Sequence, residues 1–289
     1  MDQQPDITRR RFLQTGTSAA IAACGAVAQA SAADDKKDDP FGGFVLGVQS
    51  YTFRNFDLEP MLKRTKELGL HSGEFYQKHC PITDKPEQTN AFLKICKEYD
   101  ITPVSWGVQG FSKNHDANKK VFEFAKLLNL KNLSADPTVD SFDSLDKLCE
   151  EYKIAIAIHP HGPGSRWTSA EQILKAVKDH NPLIGTCLDT GHLIRMAQVG
   201  VKLDVPTEVR TMGARNFGMH LKDHDNKRKT DVVYGKDGGV LDVPAVLKAL
   251  REVKFKGTIS IEYEANPNDP SPDVKACVDI FKESVKKLA

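Results

Sequence analysis

Apolar residues along this chain follow two alternating spacings, one typical of β-strands and the other of α-helices. Short runs rich in Val, Ile and Leu recur along the chain, and between them apolar residues fall three or four positions apart. The runs predict eight strands, at residues 45–51, 72–76, 103–108, 132–135, 154–159, 184–189, 217–222 and 258–263. Strict alternation of strand and helix predicts parallel strands with right-handed crossovers.

The start signals of two helices agree with this pattern. Residues 168–171 (TSAE) form a capping box, and Asp242 with Pro244 starts a later helix. The helix after the sixth strand is the least regular, because Gly200 and Pro206 interrupt it. The pattern favours an α/β fold, a single-domain (β/α)8 TIM barrel. An open doubly wound sheet is the alternative, but no glycine-rich dinucleotide loop follows the first strand.

The first 32 residues are typical of an export signal. Residues 8–13 (TRRRFL) contain a twin-arginine pattern, residues 15–27 are small or apolar, and residues 30–32 (ASA) form a cleavage-type site. The apolar stretch is too short for a permanent transmembrane helix, so none is expected. We therefore expect twin-arginine export to the periplasm. Cys24 ends a run that also resembles a lipoprotein box, which leaves lipid anchoring at Cys24 as an alternative.

These features divide the chain into a signal peptide at 1–32, a charged leader at 33–40 and the predicted barrel at 41–289. Removal of residues 1–32 takes away three arginines and two aspartates and leaves 37 basic and 37 acidic residues. A neutral chain gives no indication of a nucleic acid or an anionic membrane surface as partner.

Five of the six cysteines lie in the predicted barrel, at Cys80, Cys96, Cys149, Cys187 and Cys277. An odd number without close pairs does not suggest a disulfide framework. Most of them fall on the apolar positions of predicted helices and strands, so we expect small buried hydrophobic residues.

Three of the later predicted strands carry a residue of metal-ligand type near their ends: Asp189, His220 and Glu262. Each residue alone has an ordinary structural explanation, as a helix cap, a core histidine or an ion-pair partner. Together they favour a metal site, because the carboxyl ends of parallel strands meet at one rim of a barrel. Divalent cations of hard or borderline character bind this mixture of oxygen and nitrogen ligands. The sequence therefore predicts a metal-dependent enzyme.

Five segments support this interpretation by their order and spacing. They are GVQSYTF at 47–53, GLHSGE at 69–74, LDTGH at 188–192, MHLKD at 219–223 and GTISIE at 257–262. With these motifs the chain resembles the xylose isomerase-like TIM barrels, the sugar phosphate isomerases and epimerases, over essentially the whole predicted barrel. The resemblance implies one divalent ion, often Mn²⁺ and otherwise Co, Zn or Mg, held by residues from the ends of the fifth to eighth strands. Asp189, His220 and Glu262 match three of the four ligands.

The fourth ligand position departs from the family. The resemblance implies a glutamate at the end of the fifth strand, where this chain has His159 in the segment HPHG at 159–162. A neutral imidazole can still bind the metal. The proton exchange between two glutamates that the family implies would then be shared between Glu262 and His159, His161 or a water molecule.

Several further residues are candidates for substrate binding: Glu74, Trp106, His161, His192 and Lys222. Glu74 and His192 either support the ligands or contact the substrate. Trp106, at the predicted end of the third strand, is a candidate for stacking on a sugar ring. Lys222 either lies near the site or is solvated, since residues 222–229 are predicted to form a charged loop. Residues 235–239 are predicted as a flexible segment over the rim.

The expected chemistry follows from these ligands. A metal that binds the carbonyl and the adjacent hydroxyl of an α-hydroxyketone makes the neighbouring C–H acidic and stabilises the enediolate. Glu262 can then take the proton, with His159 as the second catalytic candidate. The implied function is a sugar isomerase or epimerase that acts on a small carbohydrate, a keto-sugar or a related α-hydroxycarbonyl.

Three alternatives remain open at this stage. Loss of a β-substituent from the same intermediate would make the protein a lyase that cleaves 3-keto-glycosides. An endonuclease IV-like phosphodiesterase would use part of the same ligand set, but no histidine ends the third predicted strand. A non-catalytic sugar-binding barrel would explain the missing fifth-strand glutamate.

Overall fold

Eight parallel strands close into a barrel in the computed structural model, which describes residues 39–288. The strands are β1 Val45–Gln49, β2 Ser72–Phe75, β3 Thr102–Phe111, β4 Asn132–Pro137, β5 Ala155–Ile158, β6 Ile184–Asp189, β7 Asn216–Leu221 and, after a short hairpin of β8 Asp223–Asp225 and β9 Thr230–Val232, β10 Thr258–Ile261. Around the barrel the order is β1, β10, β7, β6, β5, β4, β3 and β2. The predicted (β/α)8 TIM barrel is confirmed.

Helices connect the strands and cover the outside of the barrel. Within the described residues they are α1 Leu58–Glu67, α2 Pro86–Glu98, α3 His115–Leu127, α4 Phe142–Tyr152, α5 Ala170–Val177, α6 Thr190–Arg195, α7 Val205–Met212, α8 Val243–Glu252 and α9 Ser271–Lys286. Asp242 caps α8, since its carboxylate accepts from the Ala245 amide at 3.0 Å. The predicted capping box is displaced by one residue: the cap of α5 is Ser169, which accepts from Gln172, not Thr168.

All eight predicted strands occur, and β6 has the predicted bounds. The third strand is longer than expected, because β3 continues past a register shift between Trp106 and Gln109. The irregular segment after β6 is resolved into α6, a 3-10 turn at Met196–Val199 and α7, with Gly200 in the left-handed region at φ 81°. The spacing of apolar residues therefore predicted the positions of the barrel strands. It did not predict how the segment between β6 and β7 divides into helices.

The rim after β7 differs from the prediction. Residues 222–225 are buried and β8 pairs with β9, whereas residues 226–229 form a turn whose last three residues are exposed, as predicted for the charged loop. The Asp223 carboxylate accepts four backbone amides, from His224, Gly235, Val240 and Leu241, at 2.7–3.1 Å. The segment 235–239, predicted to be flexible, is thus held at its two ends, by the amides of Gly235 and of Val240 and Leu241, which donate to a buried carboxylate.

The core lies inside the barrel and between its strands and helices. The five barrel cysteines are all free and buried there, as expected. In residues 39–288, no helix has the length and apolar character that a membrane crossing requires. The predicted twin-arginine segment, Cys24 and most of the charged leader lie outside the described residues, so these expectations stay predictions.

Candidate metal and substrate site

A cavity of about 530 Å³ opens at the carboxyl ends of the barrel strands. One side, which we call the histidine–carboxylate wall, consists of His159, His161, His192, Glu262 and Glu264. The opposite side, the aromatic–amide wall, follows β1 to β3 and consists of Gln49, Tyr51, Tyr76, Gln77, Trp106 and Gln109. The carboxyl rim is where barrel enzymes place their active sites, so this cavity is the candidate site.

The four predicted ligand residues meet at the floor of the cavity. The Nε2 atom of His159 lies 2.9 Å from Nδ1 of His220 and 3.4 Å from Oδ2 of Asp189. Nδ1 of His220 lies 3.3 Å from Oε2 of Glu262 and 3.8 Å from Oδ2 of Asp189. These side chains leave the ends of four neighbouring strands, β5, β6, β7 and β10, which explains why separate segments of the chain converge.

Glu74 determines how the His220 ring is used. Its Oε2 atom lies 3.0 Å from Nε2 of His220, and it also accepts from Ser260 at 3.2 Å, while its Oε1 accepts from Gln49 at 2.9 Å. Because a carboxylate accepts, Nε2 of His220 donates, so Nδ1 is the ring nitrogen that could bind a metal, and binding there would require loss of any proton that Nδ1 holds in the metal-free site. Glu74 is 1% exposed and lies behind the cavity. Its position therefore suits orientation of the His220 ring and not contact with a molecule in the cavity.

Arg195 determines the proton position on His192 in the same way. Its Nη1 atom lies 2.9 Å from Nδ1 of His192. A guanidinium only donates, so Nδ1 accepts and the proton of the neutral ring is on Nε2. Burial lowers the pKa of His192 well below its ordinary value, which keeps the ring neutral at pH 7. His192 is thus a hydrogen-bond donor at the cavity, although it also lies within the 4.8 Å span of the donor atoms of His159, Asp189 and Glu262.

Lys222 brings a buried ammonium into this group. Its Nζ atom lies 2.7 Å from Oε2 of Glu262, 3.4 Å from Oδ2 of Asp189 and 2.5 Å from Oε1 of Glu264, and the residue is 1% exposed. Burial alone would lower the pKa of Lys222, but these three carboxylates outweigh it and raise the pKa well above its ordinary value. The lysine is a buried cation, not the solvated residue that the loop prediction allowed.

The same charges keep the carboxylates ionised. Burial would raise the pKa values of Asp189 and Glu262, but the Lys222 ammonium outweighs burial and lowers both. Burial would lower the pKa of His220, and the carboxylates of Glu74 and Glu262 help to raise it well above its ordinary value. At neutral pH the floor of the cavity therefore contains ionised carboxylates balanced by buried cations.

The donor set suits a divalent ion. Two imidazoles and two ionised carboxylates provide mixed nitrogen and oxygen donors. Two of the donor residues also have a buried polar atom without a hydrogen-bond partner: Nδ1 of His159 and Oδ2 of Asp189. An unpaired acceptor on a buried carboxylate is costly unless a cation lies near it. The residues thus fit a metal, and Lys222 is the cation that now faces the carboxylates.

Trp106 differs from its predicted position at the end of the third strand. It lies within β3 and not at its end, it is 2% exposed, and its indole N–H donates to the Cys80 carbonyl at 2.9 Å. Its ring packs against Phe124 at 5.5 Å, so little of it is free to stack on a sugar. Tyr51 and Tyr76, in edge-to-face contact at 5.2 Å, provide the accessible aromatic surface instead.

Of the predicted substrate-binding residues, the structure brings His161, His192 and Trp106 to the cavity and places Glu74 and Lys222 behind it. Sequence reasoning missed Tyr51, Tyr76, Gln49 and Arg195 as functional candidates. Tyr51 follows β1 and Tyr76 follows β2, so both leave strands at the same rim. An aromatic side chain directly after a predicted strand was the one feature of the sequence that could have indicated these two tyrosines.

Comparison with known proteins agrees with this architecture. The xylose isomerase-like TIM barrel family matches residues 134–283. No curated protein matches the chain in sequence. Among solved structures, a protein of Parabacteroides distasonis ATCC 8503 is 26% identical with a TM-score of 0.65, over 85% of this chain and 99% of that one.

Two epimerases share the fold at lower identity. A D-psicose 3-epimerase, solved with D-fructose, has a TM-score of 0.61 at 13% identity, over 84% of this chain and 98% of its own. An L-ribulose 3-epimerase has a TM-score of 0.63 at 16% identity, over 84% of this chain and 96% of its own. The family match spans more than half of the chain, from β4 into α9. The chain belongs to the xylose isomerase-like TIM barrel family.

Proposed function

We propose that this protein is a divalent-metal-dependent enzyme that moves a proton on a keto-sugar or a related α-hydroxycarbonyl, as an isomerase or epimerase. The observation that carries the proposal is the convergence of His159, Asp189, His220 and Glu262 on the floor of a cavity large enough for a sugar. The epimerases among the structural neighbours support it, although a shared fold alone does not establish a reaction.

The ligand residues have separate tasks in this proposal. Asp189, His220, His159 and Glu262 would hold the ion, with Glu74 orienting His220. A divalent ion bound there would polarise the substrate carbonyl and make the neighbouring C–H more acidic. His192, with its proton on Nε2, donates a hydrogen bond to a substrate oxygen at the cavity.

Proton transfer requires a base on one side of the substrate and an acid on the other. Glu262 is ionised and lines the cavity, so it takes the C–H proton while the electron pair of that bond enters an enediolate. β5 lies three places from β10 around the barrel, so His159 and His161 lie at the other end of the histidine–carboxylate wall from Glu262 and approach the substrate from a different direction. Burial and the neighbouring His159 lower the pKa of His161 to about 4, which leaves it neutral at pH 7. Because a neutral imidazole is a poor acid, a water molecule held by these rings would return the proton and give the epimer or isomer, and Glu262 would release its proton to solvent.

The cavity favours a neutral substrate. Among residues 39–288, those that line it include the carboxylates of Glu262 and Glu264 but no arginine or lysine. A sugar phosphate would find no lysine or arginine side chain in that lining to pair with its charge. Tyr51 and Tyr76 provide the apolar surface on which a sugar ring packs. We therefore propose an unphosphorylated carbohydrate as the substrate.

The second candidate is a lyase that cleaves 3-keto-glycosides by β-elimination. The observation that favours it is the unequal pair of groups at the two ends of the histidine–carboxylate wall, a carboxylate after β10 and imidazoles after β5. Elimination does not require two like bases that exchange one proton. It requires a base that removes the C–H proton and a different group that protonates the leaving group.

One experiment separates these functions. The full chain, loaded with Mn²⁺, is incubated in D₂O with free ketohexoses and with 3-keto-glucosides, and the products are followed by NMR. Deuterium at the carbon next to the carbonyl, with inversion or carbonyl migration, supports the isomerase or epimerase. Release of the aglycone with an unsaturated sugar product supports the lyase. Binding of sugars without exchange or elimination would contradict both.

A further inference from the structure

Lys222 shares its carboxylate partners with the proposed metal. The Nζ atom of Lys222 contacts Oε2 of Glu262 at 2.7 Å and Oδ2 of Asp189 at 3.4 Å. These same two oxygens face the imidazoles of His220 and His159, at 3.3 and 3.4 Å. The atoms best placed to bind an ion are therefore the atoms that the ammonium now neutralises.

An ion and the ammonium cannot both use these oxygens without cost. Lys222 is 1% exposed and Asp189 is fully buried, so little water separates the charges. Like charges repel more strongly in such a site than in bulk water. A buried ammonium that loses its partners is also unfavourable, so Lys222 needs a carboxylate that it can keep.

Glu264 is that carboxylate. Its Oε1 atom lies 2.5 Å from Nζ of Lys222, and its side chain is 39% exposed at the cavity. The ammonium is thus already paired with a third acid that is not one of the four proposed ligands. It can retain this ion pair when Glu262 and Asp189 turn to a metal.

The rest of Lys222 is fixed, which limits the movement to the end of the side chain. Its amide donates to Oγ1 of Thr190 at 2.9 Å, and that hydroxyl donates to its carbonyl at 2.5 Å. Gly191 lies against its stem, since a Cβ there would come within 2.6 Å of Cγ. Backbone and stem therefore stay in place while the ammonium can shift between neighbouring carboxylates.

We propose that Lys222 is a resident counter-ion that competes with the metal for Glu262 and Asp189 and is retained by Glu264 when the ion binds. This proposal rests on the proposed metal site. It assigns Lys222 a positioning role: it balances the carboxylates in the absence of the ion and weakens metal binding, so that the metal exchanges more readily.

The test is a direct binding measurement that does not depend on activity. Free Mn²⁺ is followed by EPR during titration of the metal-stripped full chain, as wild type, Lys222→Met, Glu264→Gln and the double variant. Lys94→Met removes an equally charged, exposed lysine on α2 and is the matched control. Circular dichroism melts of each metal-free variant establish folding.

We expect Lys222→Met to bind Mn²⁺ at least tenfold more tightly than wild type and Lys94→Met to match wild type. Glu264→Gln should weaken binding severalfold, and this effect should shrink in the Lys222→Met background because the competing ammonium is gone. If Lys222→Met does not fold, the double variant that carries both Lys222→Gln and Glu264→Gln is made. Its Mn²⁺ affinity is then compared with that of Glu264→Gln alone.

Two results would overturn the proposal in different ways. Equal or weaker binding by Lys222→Met, with wild type still binding, would contradict competition while leaving the metal site intact. No Mn²⁺ binding by any variant would contradict the metal site itself, and with it the proposed function. Binding by Lys222→Met alone would support competition and show that the ammonium excludes the ion from the wild type.

Discussion

The two walls of the cavity differ in chemistry and in how they are built. The histidine–carboxylate wall consists of residues at the ends of β5, β6 and β10 that are linked by ion pairs and hydrogen bonds. The aromatic–amide wall consists of neutral side chains in or directly after β1, β2 and β3, held by ring contacts and amide hydrogen bonds. Under the proposed function, the histidine–carboxylate wall would perform the chemistry. The aromatic–amide wall would bind a neutral, unphosphorylated substrate.

The largest expected effect of a substitution lies on the histidine–carboxylate wall. Glu262→Gln keeps the shape of the side chain but removes the base, so kcat for proton exchange should fall about 10²- to 10⁴-fold. Glu98→Gln, on the exposed face of α2, is the matched control. Stopped-time NMR in D₂O measures the rate. An unchanged exchange rate in Glu262→Gln would remove this residue from the mechanism.

A smaller effect is expected on the aromatic–amide wall. Tyr51 is 37% exposed, and its ring is available for a sugar to pack against. Tyr51→Ala should raise KM by roughly fivefold, equivalent to about 1 kcal/mol of ring stacking, with little change in kcat. Tyr51→Phe retains the ring and should behave like wild type. A loss in kcat with an unchanged KM would mean that the two walls do not divide their tasks in this way.

The smallest effect concerns stability behind the aromatic–amide wall. His79 is 3% exposed, contacts the Tyr76 ring at 5.1 Å and lies 2.9 Å from the Phe56 carbonyl. Burial lowers the pKa of His79 below its ordinary value of 6.5. As pH falls through 6.5 the unfolded chain binds a proton that the folded chain excludes, so the free energy of unfolding decreases.

Urea unfolding at pH 7.5 and pH 5.5 measures this contribution. The loss of stability on acidification should be smaller in His79→Gln than in wild type, by about 1 kcal/mol or less. The comparison uses the pH difference within each protein, which cancels the loss of packing in the variant. Identical losses in both proteins would show that the His79 pKa does not differ between the folded and unfolded states.

The walls also differ in how well the sequence predicts them. Asp189, His220 and Glu262 could be found because strand periodicity fixes their positions at strand ends and their side chains are common metal ligands. Tyr51, Tyr76 and Gln49 could not, since tyrosine and glutamine at a strand end have many structural uses. The depth of Trp106 could not be predicted because its burial depends on Phe124 and Cys80, which contact it only in the folded barrel.

Charge pairing was the other feature that sequence could not provide. Lys222 lies in a segment with several charged residues, KDHDNKRK at 222–229, which suggests solvent exposure. Its burial depends on three acids that come from β6 and the segment after β10. Long-range contacts of this kind have no local pattern. The same is true of the four amides that converge on Asp223.

The measurement that tests the central claim most directly is the Mn²⁺ content of the full chain after loading and desalting, for wild type, Asp189→Asn and His159→Ala. The account predicts about one ion per chain in wild type and its loss in both variants, because each substitution removes a donor from the same site. Retention of the full metal content by Asp189→Asn would contradict a site on the cavity floor, and with it the proposed chemistry.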